Sequence, residues 1–291
     1  MQTLSNKDNS HAIPKKIWFL WLQGYDEAPK LVQRCFESWQ YHNPDWELTF
    51  LTEDNMADYI DLGLPAEKMA KLTRPLISDL VRLKLLAEHG GVWVDSTCIC
   101  KQPLDHWLGQ YLDSGFFVFH QHDKERILTS WFMASEPGNA LTSKMYHGFS
   151  DYFLNNSFSN YGRFKRPLRK LTEKILNKSP RTTRYWFSPF VSKVLRISPY
   201  FAIHYLFEKL VFEDSVCKAI WESTNDFPAV APQKIRRVGP LTPITPELKQ
   251  DFDQGIDPLY KLKYKWSEHI EKGEVDTVIG YLLNKDITAN R

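Results

Sequence analysis

The 291-residue chain is poor in cysteine and lacks any arrangement that would put its thiols to work. Cys35, Cys98, Cys100 and Cys217 show neither a paired disulfide framework nor zinc-site spacing. They read as buried free thiols in a reducing compartment. No uninterrupted apolar run of about 18 residues exists, which predicts that no segment spans a membrane. The start of the chain is polar, with no apolar stretch behind a positive end, so no export signal is expected. A Gly-x-x-x-x-Gly-Lys phosphate loop is missing, against an ATPase. So is a Gly-x-Ser-x-Gly elbow, against a hydrolase of that type. No internal repeat is visible.

Charge is nearly balanced, with 37 Lys and Arg against 35 Asp and Glu, a net +2. That average hides an asymmetry. Residues 163–196 carry eleven Lys and Arg and a single acid, Glu173. Rings are interleaved with this charge at Phe164, Tyr185, Trp186, Phe187 and Phe190. Lys165, Arg166, Arg169 and Lys170 open the stretch. Positive charge mixed with aromatic side chains suits adsorption to an anionic membrane surface. Nucleic acid is the competing partner for such a pattern and is disfavoured here. Aromatics make up 14% of the chain, including ten Trp, a composition suited to carbohydrate sites and interfaces as well as to an aromatic core.

The N-terminal half alternates strand and helix. Strands are expected over 17–22, 46–51, 116–119 and 128–134. Helices are expected over 29–42, 54–60, 66–72 and 139–155, with another at 202–211. This alternation predicts a three-layer α/β domain with a mostly parallel sheet. The chain divides into a flexible 1–12, a core at 13–157, a basic, aromatic, helical insertion at 158–225, and a closing segment at 226–291.

The most informative stretch is Ser78-Asp79-Leu80-Val81-Arg82, followed by Gly90-Gly91-Val92-Trp93-Val94-Asp95-Ser96-Thr97. Leu72, Leu76, Leu80, Leu83 and Leu86 recur at helical spacing, with Thr73 and Ser78 both possible caps. Asp79 and Arg82, one turn apart, share a side of that helix. Gly90 fits the left-handed position beyond its end. The short strand that follows delivers Asp95 to its tip. Polar groups at strand ends are how α/β sheets build ligand sites. On spacing alone, a surface ion pair and an ordinary strand-end Asp explain the same residues. His120-Gln121-His122-Asp123 fits strand alternation better than a closed metal site.

These motifs, in this order, resemble nucleotide-sugar glycosyltransferases of the GT-A fold. The likeness is to family 32, the sugar-transferring clostridial toxins and the capsular polysaccharide synthesis proteins. The run Ile13-Pro14-Lys15-Lys16-Ile17-Trp18-Phe19-Leu20-Trp21 is similar to that group's first strand, and Asn43-Pro44-Asp45-Trp46-Glu47-Leu48 to the approach to its second. Ser130-Trp131-Phe132-Met133-Ala134 and Lys261-Leu262-Lys263-Tyr264-Lys265 resemble later segments of the capsular branch.

The resemblance implies a GT-A-like αβα sandwich with a helical, basic C-terminal portion. It implies transfer from a nucleotide sugar, with UDP as the expected carrier, to a lipid-linked surface polysaccharide, with retention, at the inner face of the cell membrane. Asp95, Asp79 and Arg82 would be catalytic. Trp18 or Trp21 would stack on the base, and their spacing of three puts them on opposite strand faces, so one is core. Ser96, Lys261 and Lys265 would also contact the donor. Mn²⁺ or Mg²⁺ would sit at Asp95 and Thr97. Thr97 stands where the family pattern has Asp, a poorer ligand for a hard ion, so Lys261, Lys263 and Lys265 are the alternative counter-charge. A non-catalytic sugar-nucleotide binder and a nucleotidyltransferase remain as other readings.

Overall fold

Side-chain alternation along two central strands divides the core into two faces. In β1 (Lys16–Leu20), Ile17 and Phe19 point one way, Trp18 and Leu20 the other. Along the chain β1 leads through α1 (Lys30–His42) to β2 (Glu47–Leu51). The single turn α2 (Ala66–Met69) and the long α3 (Arg74–Glu88) lead to β3 (Gly91–Val94) and β4 (Cys98–Cys100). A hairpin of β5 (Phe116–His120) and β6 (Leu128–Ser135) precedes α4 (Ala140–Leu154). The second half is mainly helical: α5 (Lys165–Leu176), α6 (Pro180–Thr183), α7 (Ala202–Glu213), α8 (Ser215–Glu222), α9 (Lys234–Val238) and α10 (Pro246–Gln254). Then come β7 (Leu259–Lys261), α11 (Ser267–Glu271) and α12 (Val278–Asn284). This computed structural model describes residues 13–121, 123, 125–158, 165–271 and 276–284. The segment 1–12, expected to be flexible, and His122 lie outside them.

The five-stranded sheet has the order β2-β1-β3-β6-β5. β1 pairs in parallel with β2 and β3, while β6 is antiparallel to both β3 and β5. Four of the five strands therefore run the same way, and the sheet is mostly parallel, as the alternation of elements predicts. One face, carrying Trp18, Trp93, Phe116 and Met133, is covered by α3, α4 and α7. The other, carrying Ile17, Phe19, Val94 and Phe132, is covered by α1, the β4–β7 ladder and α12. This is the αβα sandwich that the GT-A resemblance implies.

Two local features fix the junction that matters. α3 begins after an extended Thr73, with Pro in its first turn, where a missing N–H costs nothing. It ends in Gly90 and Gly91, both at positive φ; a Cβ on Gly91 would lie 2.6 Å from the Lys16 carbonyl oxygen, so only glycine lets β3 enter beside β1. The expected helix at 54–60 shrinks to a turn at Met56–Asp58. The Asn55 side chain accepts from the Thr52 amide and the Thr52 hydroxyl accepts from the Asn55 amide, closing a local loop that competes with helix. Likewise 66–72 is helical only to Met69.

Candidate active site

The site is built where β1, β3 and β5 end and β6 begins. α3 runs back along the sheet, so its N-terminal half lies over that edge. Arg82 is 5% exposed, which requires that its charge be met inside the protein. The guanidinium is met on several sides. It pairs with Asp79 Oδ1 at 3.3 Å and Asp95 Oδ1 at 3.2 Å. It donates to the Ser130 carbonyl, and to the Ser78 hydroxyl at 3.1 Å. Its Cζ lies 4.9 Å from the centre of the Trp93 ring. Ser78 therefore orients Arg82 from within the helix and is not its cap.

Asp95 follows β3, and its amide donates to the Trp131 carbonyl of β6 at 2.8 Å. The Trp93 indole donates to Oδ1 at 3.1 Å. The second oxygen, Oδ2, accepts from Lys261 Nζ at 2.9 Å, and the same ammonium donates to the Thr97 hydroxyl at 2.7 Å. Lys261 arrives from the far end of the sequence because β7 pairs antiparallel with β4, setting Lys261 opposite Cys98. The Leu262 amide donates to the Thr97 carbonyl at 2.7 Å and locks the register.

Burial and charge separate the two carboxylates. Burial pushes Asp79 up to about 6, aided by the nearby negative Asp95 and opposed by Arg82. Burial also acts upward on Asp95, but Lys261 and Arg82 outweigh it and hold the group at about 2. Asp95 is held as an anion, whereas Asp79 is held above the usual carboxylate range. Such divergence between neighbouring acids is common at functional sites.

Beside this cluster opens a cleft of about 400 Å³, with Lys261, Lys263, Arg126 and Arg236 on its walls and Asp123 as the acid. Asp123 pairs with Arg126 at 2.7 Å. Trp131 and Trp266 supply aromatic wall. His204, from α7, also faces the cleft, and its Nδ1 has no hydrogen-bond partner among the described residues. Burial, with the positive Arg126 and Arg82 nearby, lowers its pKa to about 3, so its imidazole is neutral at physiological pH.

The sequence motifs meet here in part. Asp79, Arg82, Asp95, Thr97 and Lys261 converge. Trp18 does not join them: it is 1% exposed and its indole donates to the Gly90 carbonyl at 2.9 Å, so it is the core member of the tryptophan pair. Trp21 lies half-buried just past β1 and packs on the opposite, α1 side. Ser96 is half-buried beside Asp95, and Lys265 is exposed; neither lines the cleft. His204, Arg126, Arg236 and Trp266 were not singled out by sequence, because no local spacing marks them.

In the basic stretch on α5, Arg166 and Lys170 face solvent. Lys165 donates to the Leu195 carbonyl at 2.7 Å, and Arg169 pairs with Glu173 at 2.9 Å, so these two also hold the helix in place. Trp186 is buried, while Tyr185 and Phe190 are exposed. His120 stacks on Trp221 and pairs with Asp226 at 3.1 Å, a structural setting. No described helix is long and apolar enough to cross a membrane.

Comparison with known proteins matches residues 1–184 to the sequence profile of the capsular polysaccharide synthesis protein family. An uncharacterised glycosyltransferase of Acanthamoeba polyphaga mimivirus is 24% identical over 50% of this chain and 56% of its own length. An O-glycosyltransferase of Annulohypoxylon truncatum is 26% identical over 53% of this chain and 41% of its own length. An initiation-specific alpha-1,6-mannosyltransferase of Candida albicans is 30% identical over 35% of this chain and 28% of its own. The chain thus spans about half or less of the length of these curated relatives. Among solved structures, the PaToxG glycosyltransferase superposes with a TM-score of 0.37 at 13% identity, over 71% of this chain and 87% of that one. The profile takes in Asp79, Arg82, Asp95 and Thr97, and stops short of His204 and Lys261.

Proposed function

This chain belongs to the capsular polysaccharide synthesis protein family, and on that premise we propose that it is a glycosyltransferase. In this reading it moves a sugar from a nucleotide sugar, UDP being the expected carrier, to a lipid-linked surface polysaccharide, retaining anomeric configuration. The observation that carries the reading is the convergence of Asp79, Arg82, Asp95 and Lys261 at one sheet edge beside a cleft rich in positive charge.

The chemistry follows from what a departing nucleoside diphosphate needs. As the bond between the sugar's anomeric carbon and the phosphate oxygen breaks, negative charge builds on the leaving group. Fixed cations aimed at that charge stabilise the transition state without reorganisation. Lys261, Lys263 and Arg236 are placed for this. Asp79 as carboxylate accepts from sugar hydroxyls, and Arg82 holds it and Asp95 in position. Trp21, from the strand edge, or Trp131 and Trp266 on the cleft wall, stack on the base, a contact worth about 1–3 kcal/mol. The neutral His204 offers a hydrogen bond to sugar or acceptor. Inversion needs a free general base opposite the leaving group. Among the described residues the cleft acid Asp123 is already engaged by Arg126, and His204, whose pKa is lowered to about 3, is a weak base, which together favour retention.

α5 supports a membrane-side acceptor and a peripheral location at the inner face of the membrane. Arg166, Lys170 and Lys174 form one exposed stripe at four-residue spacing. Leu171 and Ile175, 55% and 52% exposed, form an adjacent apolar one. A short helix with both stripes outward suits an anionic headgroup layer.

The test is hydrolysis and transfer of a panel of nucleotide sugars. Sugar release with free nucleoside diphosphate is expected, and Asp95→Asn lowers it by about 10²–10³-fold while the fold is kept. Release of pyrophosphate would instead identify a nucleotidyltransferase. Binding without turnover would identify the non-catalytic binder that Thr97 also fits.

A further inference from the structure

The pair Asp95 and Thr97 stands where the resembling enzymes hold a divalent cation, and this chain's residues do not fit one. Among the described residues no group of three or more His, Cys, Asp or Glu side chains is disposed to hold a metal. Thr97 offers a neutral hydroxyl. Asp95 has both oxygens occupied, Oδ1 by Arg82 at 3.2 Å and the Trp93 indole at 3.1 Å, Oδ2 by Lys261 at 2.9 Å. An ion bound to Oδ2 and the Thr97 hydroxyl would have to displace the ammonium or sit against it, since Lys261 Nζ also donates to that hydroxyl at 2.7 Å. Like charges at such range repel strongly in a site partly shielded from water.

We propose that the Lys261 ammonium is itself the cation of this site, and that it neutralises the diphosphate of the donor with no divalent metal required. The proposal rests on the glycosyltransferase reading. An ammonium has three N–H donors. Two are committed to Asp95 and Thr97, which aim the group, and Lys261 also forms part of the cleft wall, so the third is left for a phosphate oxygen. The backbone fixes the root of this side chain. Lys261 is paired with Cys98 across the β4–β7 ladder, and its amide donates to the Pro232 carbonyl at 2.8 Å. Thr97 is then the better partner at this position. A second carboxylate would add a negative charge facing the diphosphate, useful with a divalent ion and adverse with a monovalent one. Lys263 and Arg236 further along the same wall supply the remaining positive charge that a diphosphate calls for.

The experiment measures binding of UDP, GDP and inorganic pyrophosphate to the intact chain by calorimetry, once in EDTA and once in excess Mn²⁺. At least one of the three is expected to bind in EDTA, with a dissociation constant within about twofold of that in Mn²⁺. Lys261→Met should weaken binding in EDTA by at least about tenfold, and Lys261→Arg should retain part of it. The double change Thr97→Asp with Lys261→Met should convert the site to one that binds only with Mn²⁺. Binding by the unmodified protein that needs Mn²⁺ overturns the proposal, as does failure of all three probes to bind, or a folded Lys261→Met protein that binds as before. The wild-type comparison requires no variant to fold. Nucleotide-sugar turnover is a separate readout: metal-free diphosphate binding without turnover leaves this proposal standing and removes the glycosyltransferase reading.

Discussion

Positive charge is concentrated in two places in this molecule, and the same residue types act in opposite ways there. At the sheet edge, Arg82 and Lys261 are largely buried and directed at carboxylates within the fold. On α5, Arg166, Lys170 and Lys174 project into solvent beside exposed Leu171 and Ile175. The first group works in a medium where charges interact strongly and every atom needs a partner. The second is screened by salt, and exposed charges of this kind interact strongly with a partner only when several meet it at once. Burial, not residue identity, separates a positioning charge from a solvated one.

The sharpest way to break this contrast is Arg82→Ala. It leaves Asp79 and Asp95 facing each other without their shared cation, and removal of one member of a buried ionic group costs about 3–5 kcal/mol. Denaturant unfolding should show a loss of that order together with loss of donor turnover; a loss under 1 kcal/mol would place Arg82 with the surface charges. Next in size is a pH effect. With Asp79 raised to about 6 by burial, donor use should climb as pH rises through that value, and Asp79→Asn should erase the climb. The same shift lowers stability as pH rises from 3.8 to about 6, since over that window the folded state keeps a proton that the unfolded chain has released. A flat activity profile in the wild type would remove Asp79 from the donor site. Smallest is the effect of α5. Neutralising Arg166, Lys170 or Lys174 singly to Gln should weaken sedimentation with anionic vesicles by about 1 kcal/mol each, fading at high salt. Unchanged sedimentation would leave the helix without a membrane role.

Legibility in the sequence followed contact range. Asp79, Arg82 and Asp95 could be paired from spacing because helix geometry and a glycine stop fix their relation within a few residues. Trp18 and Trp21 were readable as opposite in facing, since strand alternation is local, but not as to which one is core; that depends on Gly90, far along the chain. Lys261 could be named but not placed, because its partner is 166 residues away and the strand that delivers it is three residues long. His204, on a helix whose apolar residues dominate its pattern, gave no signal. The turn at 52–58 misled because side-chain to backbone bonds, invisible to periodicity, prevailed over helix propensity.

The short β4–β7 ladder also orders events in time. During synthesis the ribosome releases Asp79, Arg82 and Asp95 long before β7 emerges. Until then the nascent polypeptide has its acidic half without the amine that completes it. The charge balance around Asp95 is therefore closed only by a residue from near the other end of the polypeptide, once β7 lies against β4.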